Sequence, residues 1–517
     1  MTASWQQSAT GARFVMRALA RYPDRIAFRT ADQSITYRAT LDLIGRMQGV
    51  LSAAGVGRGD IVAGLAANRY EAWCAGVACH GLGAATTALH PFGSLQDHLA
   101  QISDSGADTL VLDPFYGDRA EELAARASVR TAFTLGPTSF GVDVLGAAKD
   151  NAASPRDLSR PDDLAMLNYT GGTTGRPKGV QRSHCELTAG SVAILAGFPL
   201  PQTPRYVAAA PISHAAGMFV APVLACGGTV DLMAGFDPGA VIRRIRETQA
   251  NMSLLVPSMI YALLDSSDWE PADVRTLELL VYGASPMSPS RLQEGLDRIG
   301  PVFCQLYGQT ECFVISALHP DDHRSDQTDL LTSAGHPLPD CDVRMVDPDG
   351  REVGPGDRGE ICVRAPYAMA GYWRQPDLTA STIRDGWIHT GDIGCLDPEG
   401  RLFIVDRKKD MVISGGFNIY PREIEDELAK HPAVAAVGVI GVPDPRWGEA
   451  VKAYVTLRPG FDPPEDVLAE WIRSRKGPTH VPKSFEFVGQ LPLTPLGKID
   501  KAALRAPWWS STVRGVN

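Results

Sequence analysis

The feature that most constrains the fold is an alternation of short apolar strands with helical stretches, which runs through roughly the first 400 residues. Runs rich in β-branched residues, each bounded by turn residues, predict strands at 61–65, 109–112, 253–256 and 279–282. Helices between successive strands favour parallel pairing and cover both faces of a sheet. The sequence therefore predicts an α/β fold built on parallel or mixed sheets.

The spacing of the strand signals changes near residue 340. Closely spaced strands separated by Gly, Pro and Asp turns, at 342–346, 360–363 and 401–405, predict a small β-barrel or sheet. A Lys/Arg cluster, a Gly-Gly loop and new helix and strand signals follow Asp406. We therefore predict a boundary near Asp406 that divides the chain into domains 1–405 and 406–517.

Composition excludes several classes of protein. Of the 517 residues, 44% are hydrophobic and 21% are charged, which is typical of a soluble globular protein. The 49 Lys and Arg residues against 59 Asp and Glu give a net charge of −10, which argues against a general nucleic-acid binder. Nine cysteines without a C-x-x-C motif fit neither a disulfide framework nor a zinc site, so we expect reduced thiols and a cytoplasmic protein.

One stretch raises the question of a membrane span. Residues 206–230 contain no Asp, Glu, Lys or Arg. Pro211, Pro222 and the pair Gly227-Gly228 interrupt this stretch. We therefore interpret it as a buried strand, loop and helix rather than a transmembrane segment.

The strongest local signal is a loop rich in glycine and threonine at 169–179, directly after the apolar run 164–167. Its backbone N–H groups, hydroxyls and lysine are suited to a polyphosphate. The loop lacks the Walker A spacing, and the chain contains no G-x-G-x-x-G dinucleotide motif. A flexible surface turn is the alternative interpretation. The candidate ATP-binding residues of this loop are Thr170, Gly171, Gly172, Thr173, Thr174, Gly175 and Lys178.

Four further strings carry groups suited to a nucleotide. In the string Tyr307-Gly308-Gln309-Thr310-Glu311, the ring can stack on a purine and the carboxylate can ligate Mg²⁺. Asp392 follows a glycine turn, where it can accept two ribose hydroxyls or cap its own backbone. A charged run at 406–410 precedes the Gly-Gly loop, and Lys498 lies on a glycine turn near the C-terminus. Each string alone is also compatible with an ordinary turn or a solvated linker.

Taken together and in this order, the five strings resemble the adenylate-forming superfamily, which includes acyl- and aryl-CoA synthetases, adenylation domains of peptide synthetases and beetle luciferases. The stretches 34–60, 89–91 and 211–217 are similar to that family as well. The resemblance implies a large N-terminal AMP-binding domain of two α/β subdomains plus a β-barrel. It also implies a small, mobile α+β C-terminal domain with a hinge at Asp406.

The resemblance also implies the chemistry. A carboxylate is a poor acyl donor, so it attacks the α-phosphate of ATP and becomes a mixed anhydride with AMP, and the site must neutralise the charge that develops. The implied catalytic residues are Lys498, Glu311, Thr310 and His214, with Glu311 and Thr174 as ligands of Mg²⁺. Outside the glycine-threonine loop, the implied ATP-binding residues are Gly283, Ala284, Ser285, Tyr307, Gly308, Gln309, Thr310, Glu311, Asp392, Arg407 and Lys498.

The loop after the hinge most resembles that of acyl-CoA ligases, where it borders the pantetheine tunnel. This likeness favours coenzyme A as the acyl acceptor and implies that Gly415, Gly416 and Phe417 bind it. The chain departs from the family where Gly171 replaces a common Ser, where Ile413 replaces a Lys of the luciferases, and where Phe417 replaces a common Glu. These departures affect the thioester step more than adenylation.

The residues that the resemblance places around the acyl group are apolar or aromatic. They are His214, Met218, Phe219, Val256, Tyr282, Gly283 and Ile315. Because the set offers no cation for a second carboxylate, we expect a hydrophobic fatty, cyclic or aryl monocarboxylic acid. Ala215, which stands where relatives that adenylate ortho-hydroxy aryl acids tend to have Asn, disfavours salicylate-like substrates. A histidine satisfied within the core is the alternative interpretation of His214.

The sequence thus predicts an ATP-dependent, AMP-forming acid:CoA ligase. Its expected partners are a small carboxylic acid, ATP, CoA and Mg²⁺. A homodimer is possible on the sequence alone. We expect neither a nucleic-acid partner nor a transmembrane segment. The alternative is a stand-alone adenylating enzyme that loads the phosphopantetheine of a carrier protein. A non-enzymatic descendant of the fold is a third hypothesis, which the intact set Glu311, Asp392, Arg407 and Lys498 disfavours.

Overall fold

The computed structural model describes residues 10–170, 177–267, 269–323, 328–414, 417–494 and 498–509. Within these ranges the chain has a mixed α/β fold, with a large N-terminal domain and a smaller C-terminal domain. Four sheets form the framework of the two domains.

The strands alternate with helices through most of the larger domain, as the sequence predicted. The strands are β1 Ile26–Arg29, β2 Ser34–Thr36, β3 Ile61–Leu65, β4 Ala85–Ala88, β5 Thr109–Leu112, β6 Thr131–Thr134, β7 Val142–Asp143, β8 Leu164–Thr170, β9 Lys178–Ser183, β10 Arg205–Ala208, β11 Thr229–Leu232, β12 Met252–Leu255, β13 Leu279–Gly283, β14 Phe303–Gln309, β15 Phe313–Leu318, β16 His336–Pro337, β17 Asp342–Val346, β18 Gly359–Arg364, β19 Gly371–Tyr372, β20 Ile383–Arg384, β21 Trp387–Leu396, β22 Leu402–Arg407, β23 Val412–Ser414, β24 Phe417–Ile419, β25 Val434–Asp444, β26 Gly448–Leu457 and β27 Ser484–Phe487. The predicted strands at 61–65 and 109–112 are confirmed, and those at 253–256 and 279–282 differ from the observed bounds by one residue.

Helices connect the strands. They are α1 Gly11–Arg21, α2 Tyr37–Ala53, α3 Tyr70–Gly81, α4 Leu95–Ser105, α5 Gly117–Arg126, α6 Val144–Lys149, α7 His184–Gly197, α8 Val220–Ala225, α9 Pro238–Thr248, α10 Pro257–Asp265, α11 Pro289–Arg298, α12 Pro376–Thr382, α13 Pro421–Leu428, α14 Glu465–Lys476 and α15 Lys501–Trp509. Ser94 and Ser183 begin α4 and α7 with capping boxes, in which an acidic side chain at the third helical position closes the motif. Proline begins five of the helices, α9 to α13, where its missing N–H is not needed.

Two large sheets build the larger domain. In the described residues, the first sheet has the strand order β16-β15-β14-β13-β12-β10-β11-β1-β2, with parallel pairing from β14 to β1. The second has the order β19-β9-β8-β4-β3-β5-β6-β7, with parallel pairing from β8 to β7. Each sheet ends in antiparallel strands at the β14–β15 and β8–β9 hairpins.

Two smaller five-stranded sheets follow. The third sheet pairs β17, β18, β21, β20 and β22 in antiparallel fashion, where the sequence predicted a β-barrel or sheet. The fourth sheet pairs β24, β23, β26, β25 and β27 and belongs to the C-terminal domain. This domain has an apolar core of its own, in which Val412, Ile424, Val439 and Leu468 are fully buried.

The uncharged stretch 206–230 lies inside the larger domain. It contains β10, the buried residues Phe219 and Val223, and the beginning of β11. The interpretation as a buried strand, loop and helix is confirmed. Among the residues described, no helix combines the length and the apolar character that a bilayer crossing requires.

Asn68 ties the first sheet to the second. It lies just beyond β3, and its side-chain amide donates to the carbonyl of Ala210 (3.0 Å) and accepts the backbone N–H of Ile212 (2.9 Å), both just beyond β10. The carboxyl ends of β3 and β10 therefore meet. Since β4 and β8 run parallel to β3, and β12 to β14 run parallel to β10, the loops that follow all these strands open onto one cleft.

We expect Asn68→Ala to loosen this junction. The substitution leaves the backbone groups of Ala210 and Ile212 without their partner, which costs about 1–3 kcal/mol of folding free energy. Chemical denaturation measures this cost. Asn151→Ala is the control and should change stability less, because among the described residues its side chain accepts only the nearby N–H of Ala153. Equal effects of the two substitutions would contradict the role of Asn68.

Candidate active site

The glycine-threonine loop connects two paired strands at the edge of the cleft. Thr170 at the end of β8 is in register with Lys178 at the start of β9. Thr170 and Lys178 therefore flank the loop at the carboxyl end of β8. Predicted ATP-binding residues that lie outside the described part of the chain are Gly171, Gly172, Thr173, Thr174 and Gly175, and the proposed metal ligand Thr174 is among them.

The string from Tyr307 to Glu311 covers the end of β14 and the start of the turn into β15. A Cβ atom on Gly308 would lie 2.0 Å from the carbonyl oxygen of Phe313, which itself has a φ of 63°. The glycine is therefore required by the close approach of the two strands.

Asp392 is the centre of a buried hydrogen-bond network. Its Oδ2 accepts the hydroxyl of Tyr307 (2.7 Å) and the amide of Gln309 (2.6 Å). Its Oδ1 faces the guanidinium Nε of Arg407 at 3.6 Å. Burial and the neighbouring carboxylate raise the pKa of Tyr307 well above its ordinary value, so the phenol stays protonated and donates. Three predicted nucleotide residues are thus held together around one carboxylate.

Lys498 approaches the same carboxylate from the C-terminal domain. Its backbone is fixed by Thr494, whose N–H donates to the carbonyl of Lys498 at 2.7 Å. Burial, and after it the charge of Arg407, lower the pKa of Lys498 to about 8, whereas Asp392 acts in the opposite direction. The structure therefore brings Lys498, Arg407 and Asp392 into one charged cluster.

Glu311 is oriented by neighbouring aromatic and backbone groups. The hydroxyl of Tyr372 donates to its carboxylate at 2.7 Å, and its carbonyl accepts the N–H of Met369 at 2.8 Å. No group of three or more His, Cys, Asp or Glu side chains in the described residues could hold a metal ion. A single carboxylate fits a magnesium ion that takes its other ligands from phosphate and water. Glu311 could therefore hold Mg²⁺ that arrives with a nucleotide.

Arg182 is a buried residue of the site that the sequence analysis missed. It lies on β9, and its guanidinium donates to the backbone carbonyls of Thr310 and Tyr367. Burial lowers the pKa of Arg182 to about 10, while Glu186 and Glu311 act in the opposite direction. Arg182 thus fixes the backbone beside Glu311 from within. Arg182 follows the glycine-threonine loop by three residues, and nothing in the local sequence indicates its contacts with Thr310 and Tyr367. Those contacts arise because distant parts of the chain meet in the folded structure.

His214 lies in the loop after β10, at the carboxyl edge of the first sheet. Its Nδ1 is 2.8 Å from the hydroxyl of Ser213, and burial with the nearby His90 lowers its pKa to about 4. His214 is therefore neutral at pH 7. Met218, Phe219 and Ile315, which the sequence analysis placed around the acyl group, pack into the main core beside this loop.

Tyr282 lies apart from the other candidate acyl residues. Its ring packs in the second apolar cluster against Phe303, and its hydroxyl is 3.0 Å from Nε2 of His323. Strand β13 alternates its side chains between two faces, and Tyr282 lies on the face away from the cluster that contains Ile315. Val256, by contrast, is only half-buried at the start of α10.

The string Gly283-Ala284-Ser285 adopts an unusual backbone at the carboxyl end of β13. A Cβ atom on Gly283 would lie 2.2 Å from the carbonyl oxygen of Leu306, so only glycine fits. Ala284 has a φ of 65°, a left-handed conformation that costs a residue with a Cβ atom about 1–2 kcal/mol. Strain of this kind is common where a backbone is shaped to meet a ligand.

Of the predicted CoA-binding residues, Phe417 is described, whereas Gly415 and Gly416 lie outside the described ranges. Phe417 is 60% exposed at the start of β24, and Ile413 on the paired strand β23 is 39% exposed. Trp447 adjoins the same hairpin, because its neighbour Gly448 pairs with Ser414, and it is 38% exposed. Phe417 pairs with Ser414, so its side chain lies on the face of the hairpin opposite that of Ile413. Exposed apolar side chains therefore stand on both faces of this hairpin.

Comparison with known proteins defines the class to which this site belongs. The model of the AMP-binding enzyme family matches residues 15–373, and that of the AMP-binding enzyme C-terminal domain matches residues 423–498. The chain therefore belongs to the AMP-binding enzymes, and it is an AMP-forming acyl-CoA synthetase of the adenylate-forming superfamily. Enzymes of this kind act on a small-molecule acid, ATP and CoA.

Three particular relatives illustrate this class. The chain is 40% identical to the medium/long-chain-fatty-acid–CoA ligase FadD8 of Mycobacterium tuberculosis, over 96% of this chain and 90% of that protein. It is 39% identical to a feruloyl-CoA synthase of an Amycolatopsis species, over 93% and 96% of the two chains. The solved structure of the amide bond synthetase McbA from Marinactinospora thermotolerans is similar with a TM-score of 0.90, at 34% identity, over 97% and 100% of the two chains.

The lowered pKa of Lys498 predicts how adenylation depends on pH. Below a pKa of about 8 the ammonium is charged and can stabilise phosphate, and this charge is lost as the pH rises through that value. We therefore expect kcat/KM for ATP in the pyrophosphate-releasing half-reaction to fall above pH 8. In Lys498→Arg the guanidinium keeps its charge, so the fall should disappear from whatever activity remains. A wild-type profile that stays flat up to pH 9.5 would contradict this assignment.

Proposed function

We propose that this enzyme adenylates a hydrophobic monocarboxylic acid and transfers the acyl group to coenzyme A. In the first step, a carboxylate oxygen forms a bond to the α-phosphorus of ATP, the bond to the β-phosphate bridge breaks, and pyrophosphate leaves. In the second step, the sulfur of CoA attacks the acyl carbonyl, AMP departs with the bridging oxygen, and the thiol proton passes to solvent.

The observation that carries this proposal is the cluster of Lys498, Arg407 and Asp392. Arg407 lies 3.6 Å from the carboxylate of Asp392, and the charges of both residues act on the buried ammonium of Lys498. Such a surplus of positive charge favours a polyanionic ligand and a transition state in which negative charge grows on phosphate. We assign Lys498 to the bridge between the acid and the α-phosphate, and Asp392 with Arg407 to the ribose.

The other predicted residues take the remaining parts of ATP. We assign Tyr307 and the strained turn Gly283-Ala284-Ser285 to adenine, and Thr310 to the α-phosphate. The loop 170–178 takes the β- and γ-phosphates, and Glu311 ligates Mg²⁺. The hydrogen bond from Tyr372 supports the last assignment, because it fixes the direction of the Glu311 carboxylate.

Two observations support a hydrophobic acid. The candidate lining residues near His214 are apolar, and His214 itself is neutral at pH 7. The relatives named above act on a medium- or long-chain fatty acid and on a feruloyl group, which are both largely apolar. We therefore propose that both aliphatic and aryl acids are within the reach of this enzyme.

The exposed ring of Trp447 supports CoA as the acceptor. The guanidinium of Arg446 lies 4.6 Å from the centre of the Trp447 ring, and the ammonium of Lys483 lies 5.8 Å from it. An exposed aromatic ring flanked by cations is suited to the adenine and phosphates of CoA. A carrier-protein phosphopantetheine remains the alternative, and the similarity to an amide bond synthetase adds an amine as a third acceptor to be tested.

We also propose that Asp406 is the hinge between the domains 1–405 and 406–517. Its carboxylate accepts the backbone N–H groups of Arg407 (2.6 Å) and Arg422 (2.9 Å), which links β22 to the start of α13. Burial raises the pKa of Asp406 to about 6, and Lys501 opposes the rise. The strand β22 continues through Arg407, one residue beyond Asp406.

The experiment that tests the function measures pyrophosphate release over fatty, cyclic and aryl acids with Mg-ATP, followed by acyl transfer to CoA, a loaded carrier protein or an amine. We expect AMP and an acyl-CoA thioester.

Lys498→Ala should lower the rate of adenylation by about 10²–10³-fold, since it removes a charge at the reacting phosphate, but should still convert a pre-formed acyl adenylate. Adenylation that survives in Lys498→Ala would refute the role of this lysine. Transfer to the carrier or amine alone would refute CoA as the acceptor.

Trp447→Ala tests the CoA surface separately. We expect KM for CoA to rise by about tenfold, because one aromatic contact with adenine is lost, while pyrophosphate release without CoA stays unchanged. Phe461→Ala is the matched control, because Phe461 is an exposed ring (48%) elsewhere in the same domain. An unchanged KM for CoA in Trp447→Ala would show that CoA does not use this surface.

A further inference from the structure

A second histidine lies against His214 in the cleft. His90 follows β4 of the second sheet, whereas His214 follows β10 of the first. The centres of the two rings are 4.5 Å apart, and the rings meet edge to face at 74°. The two carboxyl edges of the sheets therefore contribute one histidine each to the same place. The sequence analysis gave no role to His90.

The protonation state of His90 can be derived from its surroundings. The backbone N–H of Phe92 donates to Nδ1 of His90 at 3.1 Å, so Nδ1 is an acceptor. Burial, and then the neighbouring His98, lower the pKa of His90, so the ring is neutral at pH 7. A neutral ring whose Nδ1 accepts must carry its proton on Nε2. Nε2 of His98 also bonds the carbonyl of His90 at 2.8 Å, which holds this loop in place.

The Nε2–H of His90 is a donor without an acceptor. The atom is buried, and within the described ranges no group forms a hydrogen bond with it. A contact between this N–H and the face of the His214 ring would be much weaker than a hydrogen bond to oxygen. A buried donor left unpaired is unfavourable, so a site of this kind favours a ligand that supplies an acceptor.

Among the candidate site residues, His90 adjoins His214, which the sequence analysis placed in the acyl pocket. The candidate nucleotide residues Tyr307, Asp392 and Arg407 contact one another, whereas His90 contacts His214. Under the proposed function His214 belongs to the acyl pocket, and the candidate lining residues Met218, Phe219 and Ile315 belong to the apolar core. His90 would then add one polar group to a pocket that is otherwise apolar.

We propose that His90 is a specificity residue that donates a hydrogen bond from Nε2 to an oxygen atom on the tail of the acid. The preferred substrates are therefore largely hydrophobic acids that carry one hydroxyl, ether or carbonyl oxygen, rather than plain hydrocarbon acids. This inference rests on the proposed function, because it assumes that the cleft adenylates an acid.

Matched pairs of acids test the inference. One series compares 3-phenylpropanoate with its 4-hydroxy and 4-methoxy derivatives, and a second compares octanoate with its oxo derivatives. For at least one oxygenated acid in these series, we expect the wild-type kcat/KM for pyrophosphate release to exceed that of the plain acid by about 10- to 100-fold. His90→Phe, which keeps a ring but has no donor, should remove this preference while leaving the plain acids active.

Two further variants make the test specific. His90→Gln retains an N–H donor and should restore part of the preference. His336→Phe is the control, since His336 is exposed on β16, and it should behave like the wild type. If His90→Phe does not fold, the test compares the preference of the wild type for the oxygenated acid with the preference of His90→Gln.

The outcomes separate this inference from the proposed function. Wild-type enzyme that activates acids but treats every matched pair alike would overturn the role of His90, and so would a preference that survives in His90→Phe. Failure of every acid to release pyrophosphate would instead overturn the proposed function itself.

Discussion

The carboxylate of Asp392 is the point at which the separate parts of the structure converge. Tyr307 and Gln309 from the first sheet bond one of its oxygens, Arg407 faces the other from the third sheet, and Lys498 approaches from the C-terminal domain. A buried charge is stable only when partners surround it. The position of the small domain and the geometry of the cleft are therefore coupled through this single group.

The same cluster explains why the site suits a phosphate-activated reaction. Its cations are pre-positioned, and one of them has its pKa lowered towards the physiological range. The turns that we assign to the phosphates begin at carboxyl ends of strands, where side chains and backbone N–H groups converge without competing for sheet hydrogen bonds. Arg182 fixes the Glu311 turn by donating to the carbonyl of Thr310. Under the proposed function, the sheets hold the nucleotide in place and the C-terminal domain contributes Lys498.

The region that we assign to the acid follows a different physical rule. Its candidate lining residues Met218, Phe219 and Ile315 belong to the apolar core. Burial lowers the pKa of both histidines there, with His90 adding to the effect on His214 and His98 to that on His90, so both rings are neutral at pH 7. Neutral imidazoles can orient a substrate through hydrogen bonds without attracting a second carboxylate. The contrast between this neutral region and the charged cluster at Asp392 would orient an acid with its carboxylate towards the nucleotide and its tail away from it.

The sequence by itself determined the order of strands and helices, the change of pattern near residue 340 and the strings from which the site is built, because hydrophobic period and turn chemistry are local properties. Only the tertiary structure decided which distant side chains meet. Arg182 and Asn68 act through backbone groups far along the chain, and Tyr282 differs from Ile315 in the face of the sheet on which it lies. His90 gained its neighbour His214 because the carboxyl edges of two sheets face each other. These contacts join residues more than a hundred positions apart, and no local pattern encodes them.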